Sequence, residues 1–199
     1  MPSTGTTFDT DCTLMLHMDG DDASTVFTDS SFQDTKTATA NGNAQIDTAQ
    51  SVFGGASGLF DGTGDNLSIP DHADWNFGAG VLTIDFRVRF NSVTGTQAFF
   101  TQRVDGNDYQ ILEWSDSVTD ELIYQVSEGG VVILDIRAAW TPLVNTWYHI
   151  ALIRGWGGNG NDWAFTVDGT QVGSTTTDAS SVPNIAAQVV IGTAVSGTF

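Results

Sequence analysis

The chain is poor in positive charge. Six Lys plus Arg stand against 24 Asp plus Glu, a formal net charge of −18 over 199 residues, and Lys36 is the only lysine. A nucleic-acid partner is disfavoured, because phosphate binding needs clustered cations. The acidity favours cations as ligands and repels the chain from anionic membrane surfaces. Cysteine is almost missing: Cys12 stands alone, so no internal disulfide is available, and its polar N-terminal setting is unlike that of a catalytic thiol. No run of 18 apolar residues occurs, which excludes a membrane-spanning helix. The opening Met1-Pro2-Ser3-Thr4-Gly5 lacks the basic start and apolar run of a signal peptide.

Catalytic signatures are equally scarce. The only glutamates are Glu113, Glu121 and Glu128, and none belongs to a Glu-x-Asp-x-x-Glu run of paired carboxylates. There is no G-x-S-x-G elbow. His17, His72 and His149 lie far apart without a cysteine pair, which argues against zinc. Gly155-Trp156-Gly157-Gly158-Asn159-Gly160 matches G-x-G-x-x-G, but a strand-like Trp163-Ala164-Phe165-Thr166-Val167 follows it. Without a helix N-terminus there is no dipole for a pyrophosphate.

Helical periodicity is absent as well; what is there instead is alternation. Leu82, Ile84, Phe86, Val88 and Phe90 fall on one face of 81–90, and Thr83, Asp85, Arg87 and Arg89 on the other. Trp163, Phe165 and Val167 alternate with Ala164, Thr166 and Asp168, and Asp168-Gly169 supplies the residues of a type I′ hairpin. Alternation also assigns Trp147 and Trp163 to the core. Further strands are predicted at 13–18, 58–61, 66–69, 97–103, 109–114, 121–127, 131–137, 147–154 and 188–192, with one helical turn at 70–75. Many short strands at regular spacing predict an all-β sandwich or barrel. The length predicts one domain at 13–199 behind a flexible N-terminal arm at 1–12, with no internal repeat and no composition break.

These segments resemble a known group. Leu14-Met15-Leu16-His17-Met18-Asp19-Gly20, Phe27-Thr28-Asp29-Ser30-Ser31 and Gly58-Leu59-Phe60-Asp61-Gly62-Thr63-Gly64-Asp65-Asn66-Leu67-Ser68-Ile69-Pro70 are similar to the opening of a LamG-like jelly roll of the concanavalin A-like lectin/glucanase superfamily. Asn145-Thr146-Trp147-Tyr148-His149-Ile150-Ala151-Leu152-Ile153-Arg154, followed by Phe165-Thr166-Val167-Asp168-Gly169-Thr170-Gln171-Val172-Gly173-Ser174, is the most specific part of the resemblance. It implies an antiparallel β-sandwich jelly roll. It also implies a final strand after Val190-Ile191-Gly192 that the sequence does not reach before Phe199. The expectation is therefore a truncated chain, or a partner strand beside 13–18.

The resemblance further implies calcium at a sandwich edge, with Asp19, Asp21 and Asp22 and oxygens near Asp61 and Gly62 as contributors; calcium asks for six to eight hard oxygens. Two oxygen-rich loops are candidates for a sugar or cation, Asp105-Gly106-Asn107-Asp108 and Asn159-Gly160-Asn161-Asp162, although Asn, Asp and Gly are also ordinary turn residues. Trp156, in a Gly-rich loop, is the candidate stacking platform for a sugar ring. The expectation is a non-catalytic recognition or structural module on a virion or extracellular surface, without membrane insertion. It would bind glycan or a neighbouring subunit within an oligomer or larger assembly. A glycan-cleaving enzyme of the same superfamily and a purely architectural subunit are the alternatives.

Overall fold

A computed structural model describes residues 11–193 except 33 and 118. Most of the expected N-terminal arm and the chain after 193 lie outside the described residues. Strands dominate, two 3-10 turns interrupt them, and no α-helix occurs among the described residues. No helix among them is long and apolar enough to cross a membrane. Contacts divide the chain into two compact units at Pro70, a division the composition does not announce.

The first unit holds β1 (Val26–Thr28), β2 (Thr37–Asn41), β3 (Gln45–Asp47), β4 (Ser57–Leu59) and β5 (Asn66–Ile69). β2 pairs antiparallel with β1 and β5, and β3 with β4. The strand expected at 13–18 does not form: Leu16 makes one isolated bridge to Asp29, and Met18 sits at φ 55°, a left-handed conformation that ends extended pairing. The buried Asp29 carboxylate holds the segment instead. It accepts hydrogen bonds from the amides of Met15 (3.0 Å), Ser31 (2.9 Å) and Lys36 (2.8 Å) and from the Ser31 hydroxyl (2.9 Å). Burial opposes the charge, yet these donors hold the Asp29 carboxyl below the usual aspartate range. β1, β2 and β3 were not foreseen, because Thr37-Ala38-Thr39-Ala40-Asn41 alternates only small and polar residues.

The second unit is a two-layer sandwich. One layer has, within this unit, five antiparallel strands in the order β14-β7-β8-β9-β10, made of β7 (Gln97–Arg103), β8 (Tyr109–Ser115), β9 (Glu121–Glu128), β10 (Val131–Ala139) and β14 (Val189–Ile191). The other runs β13-β12-β11-β6, with β6 (Leu82–Arg89), β11 (Trp147–Arg154), β12 (Asp162–Val167) and β13 (Thr170–Thr177). Aromatic pairs join the layers: Phe86 with Phe99 (centroids 4.6 Å apart), Phe90 with Trp114 (5.8 Å) and Tyr124 with Trp163 (5.6 Å). The predicted β12–β13 hairpin is present, with Asp168 at φ 49° and Gly169 at φ 77°, both positive as a type I′ turn requires. The predicted helical turn is a 3-10 turn at Ala73–Trp75.

Polar groups fix the interior. Gln110 Nε2 donates to Gln102 Oε1 (2.7 Å), the Tyr124 hydroxyl donates to Gln110 Oε1 (2.8 Å), and Gln102 Nε2 donates to the carbonyls of Ile185 (2.7 Å) and Ala187 (2.8 Å). Burial pushes the Tyr124 hydroxyl pKa far above the ordinary value, against the opposing charge of Arg154. Arg154 is itself buried. It donates to the carbonyls of Gly160 and Gly78, and its guanidinium lies 5.0 Å from the centroid of the Trp163 ring.

One expectation about a single residue is corrected. Trp147 pairs with Arg89 and shares the face of Arg87 and Asp85 rather than the core. Apolar residues occupy both faces of β11, so alternation there does not set which face is inside. His149 lies on the same outer face and meets Asp85 at 2.9 Å.

Two stability predictions follow from these anchors. Gln110→Leu strands the Gln102 and Tyr124 partners in the core and should cost about 2–3 kcal/mol in urea unfolding. Asp29→Ala should cost a similar amount, about 2–3 kcal/mol, at neutral pH. Because the folded Asp29 pKa is depressed, its contribution is present above the unfolded value and lost as pH falls through the folded one. The difference between parent and variant unfolding midpoints should therefore shrink in acid.

Candidate functional site

Strand register decides which side chains of the five-stranded sheet face away from the sandwich core. Gln102, Leu112, Tyr124 and Ile136 point inward, so the neighbours of each along its strand point outward. Thr101 lies opposite Ile111, Ala98 opposite Glu113, Glu113 opposite Ile123, Ile111 opposite Gln125, and Ile123 opposite Arg137. The outer face thus carries a floor of Ala98, Thr101, Tyr109, Ile111 and Ile123, all buried, beside the longer and partly exposed side chains of Arg103, Glu113 and Gln125. Charged residues on β10 continue it toward solvent.

The polar groups of this face are ordered. The Tyr109 hydroxyl donates to Gln125 Oε1 at 2.6 Å, which leaves the Gln125 amide nitrogen to donate elsewhere, and the Arg103 guanidinium lies 5.7 Å from the centroid of the Tyr109 ring. Burial raises the Tyr109 pKa, with Arg103 opposing and the Asp135 and Glu113 charges reinforcing it. Arg137 donates to Asp135 (2.8 Å) and Glu121 (2.7 Å); burial works against its charge, but these carboxylates hold its pKa above the ordinary value. Burial likewise raises the Glu113 carboxyl, with Arg137 pulling the other way. Thr101 Oγ1 and Glu113 Oε2 are buried oxygens without a hydrogen-bond partner.

The residues singled out from sequence are placed elsewhere or used differently. Asp105 Oδ1 accepts from the amides of Asn107 (2.7 Å) and Asp108 (3.2 Å), and Asp108 Oδ1 accepts from Gly129 (2.7 Å). The Asn107 carbonyl accepts from Gly130 (3.1 Å) and the Ser127 hydroxyl (2.7 Å). These oxygens tie the β7–β8 loop to the β9–β10 turn. Asn159 Oδ1 accepts from the Asn161 amide (3.3 Å), and Asp162 Oδ1 from the Thr177 hydroxyl (2.6 Å). Trp156 is half-buried, and its Nε1 donates to Gln171 Oε1 on β13 at 3.0 Å.

The residues implied for calcium lie in the first unit. Asp22 accepts from the Thr48 amide and hydroxyl (3.1 and 3.2 Å), and the Asp61 side chain accepts from the Thr63 amide (2.7 Å). The Asp19 side chain lies against Gly54, where an added Cβ would come within 2.9 Å of the Asp19 Cβ. The Asp21 carbonyl accepts from the Ser24 amide (3.1 Å), and Gly62 takes up φ 83°. No group of three or more His, Cys, Asp or Glu converges as a metal set among the described residues.

Residues 61–199 match the Laminin_G_3 family of the concanavalin A-like lectin/glucanases superfamily. The chain belongs to that superfamily. Solved structures similar to this concanavalin A-like chain include domain 4 of AbnA, a GH43 extracellular arabinanase from Geobacillus stearothermophilus in complex with arabinotriose. The TM-score is 0.58 at 14% identity, over 85% of this chain and 77% of that one. The binding domain of botulinum neurotoxin DC in complex with SialylT aligns with TM-score 0.61 at 11% identity, over 90% of this chain and 42% of the toxin's. Botulinum neurotoxin type C, whose cell entry depends on two ganglioside molecules, aligns with TM-score 0.58 at 9% identity, over 87% and 42%. The chain spans less than half of the toxin chains, and at these identities the likeness is one of fold. No curated protein matches it in sequence.

The outer face was missed in the sequence because its residues come from four strands. Glu113 was the one visible signal, a glutamate inside a strand of an acid-rich chain with only three glutamates. Its raised pKa gives a sign that can be measured. The folded state prefers the protonated carboxyl, so the stability linked to it is present below the unfolded pKa, about 4.3, and is lost as pH rises through the folded value. Glu113→Gln should therefore raise Tm at pH 7, and calorimetry should show that gain vanish in acid.

Proposed function

We propose that the chain is a non-catalytic recognition module that binds glycan on the outer face of its five-stranded sheet. One observation carries the reading: an apolar floor of Ala98, Ile111 and Ile123 beside ordered polar side chains, Gln125 held by Tyr109 and Glu113 beside them. Sugar rings need apolar contact for their C–H faces and a few fixed hydrogen-bonding groups for their hydroxyls, the usual composition of a small-molecule site. The superfamily membership and the saccharide ligands named for the similar structures support this reading.

The charges support a binding role over hydrolysis. A retaining glycosidase needs two carboxyls about 5 Å apart, whereas the charge acting on Glu113 is that of Arg137, and Arg137 itself holds Asp135 and Glu121. An extracellular or virion surface is the setting we propose, supported by the acidic, lysine-poor composition.

The test is saccharide titration with two variants. Gln125→Ala removes an ordered amide from the face and should weaken glycan binding about tenfold, the equivalent of roughly 1.4 kcal/mol. Trp156→Ala, on the other sheet, should leave affinity unchanged. Loss of binding in Trp156→Ala with full retention in Gln125→Ala would move the site to the opposite sheet. Turnover of a polysaccharide that disappears on mutation of one carboxylate would replace the module with an enzyme.

A further inference from the structure

Among the described residues, the outer face of the five-stranded sheet has two buried oxygens without a hydrogen-bond partner and no unengaged cation. From that pairing we infer that its ligand is a neutral, hydroxyl-bearing saccharide rather than an acidic one, with Thr101 and Glu113 as partners of the sugar hydroxyls. The inference rests on the glycan-binding reading above and specifies its ligand class.

The open positions come first. Among the described residues only three buried side-chain polar atoms lack a partner: Thr101 Oγ1, Glu113 Oε2 and one nitrogen of Arg154. Arg154 belongs to the core. The other two share the outer face, on strands that pair directly: Thr101 lies opposite Ile111, and Glu113 follows Ile111 by two residues on the same side of β8. Thr101 is 1% exposed, and its hydroxyl has no protein partner. An unsatisfied buried polar group costs stability, and a ligand hydroxyl at hydrogen-bonding distance recovers that cost on binding. A hydroxyl is the group that suits both atoms, since it donates to a carboxylate oxygen and either donates to or accepts from a threonine.

Charge then sets the class. The charged groups of this face are Arg103 on β7, Glu113 on β8, Glu121 on β9, and Asp135 and Arg137 on β10, two guanidiniums against three carboxylates. Arg137 is bound by both Asp135 and Glu121, and Arg103 lies over the Tyr109 ring. Recognition of a sugar carboxylate calls for a guanidinium fork presented to it; here the Arg137 fork is held by Asp135 and Glu121, and Arg103 lies over a ring. The chain's net charge of −18 adds long-range repulsion of anions.

The experiment compares two sets of saccharides on the full chain by calorimetry at low salt: arabinotriose, xylopentaose and mannopentaose against sialyllactose and trigalacturonate. The expected result is at least one neutral saccharide bound tenfold or more tighter than either acidic one. Thr101→Val and Glu113→Leu should each weaken it about tenfold, and Thr101→Ser, which keeps the hydroxyl, should restore affinity. Near-ultraviolet circular dichroism of each variant checks its packing, and the comparison of classes on the parent chain needs no variant at all. Acidic saccharides bound as tightly as neutral ones, with binding still weakened by Gln125→Ala, would overturn the ligand class while leaving the glycan-binding face in place. Binding of neither class would overturn that face, and the inference with it.

Discussion

Everything on the outer face of the five-stranded sheet depends on the register of β7, β8, β9 and β10. Side chains alternate sides with a period of two, so a slip of one residue in any of these strands exchanges its two faces. The chain of hydrogen bonds from Tyr124 through Gln110 and Gln102 to the carbonyls of Ile185 and Ala187 opposes such a slip. These buried amides find partners only in the observed pairing; displaced by one residue, they would leave the interior and put Glu113 and Tyr109 there. A buried polar network that is satisfied in one arrangement alone rigidifies and specifies that arrangement. The outer face of Thr101, Tyr109, Glu113 and Gln125 is the counterpart of that inner network.

Arg154 serves the second sheet in a related way. Its guanidinium, among the largest fully buried side chains, binds carbonyls from two loops, at Gly78 and Gly160, and lies over Trp163. Among the described residues, main-chain dipoles and an aromatic face balance the charge. The loop bearing Trp156 closes by the Gly155–Asp162 and Gly158–Gly155 backbone hydrogen bonds, and its Asn and Asp oxygens close it further. Asp105 and Asn159 brace the oxygen-rich loops they sit in, since a carboxylate or amide that accepts a backbone N–H two residues on stabilises its turn.

Residues with strong alternation were legible. β6, β7, β11 and the β12–β13 hairpin fall close to where the pattern of apolar residues and the Asp168-Gly169 pair put them. The first unit was not: β2 is built from Thr and Ala, and the segment before Asp29 is held by one carboxylate instead of a ladder. A side chain that organises three separate backbone amides leaves no periodic signature. The candidate site was legible only as a single unusual glutamate. Its floor and partners come from four strands between 97 and 139, and nothing along the chain marks Thr101, Glu113, Gln125 and Arg137 as neighbours.

By itself the sequence determined the class of structure. Alternating apolar residues punctuated by Gly, Asn and Asp allow antiparallel sheets and little else, because that period suits a pleated strand and leaves a helix no continuous apolar stripe. The superfamily followed from local motifs of the same kind. Only the tertiary structure decided which face of each strand looks inward, which acids are held by arginine, and which polar atoms are left without a partner. Those properties depend on pairing between residues distant along the chain, and pairing is fixed by packing and by the satisfaction of buried hydrogen bonds, which no local window of sequence contains.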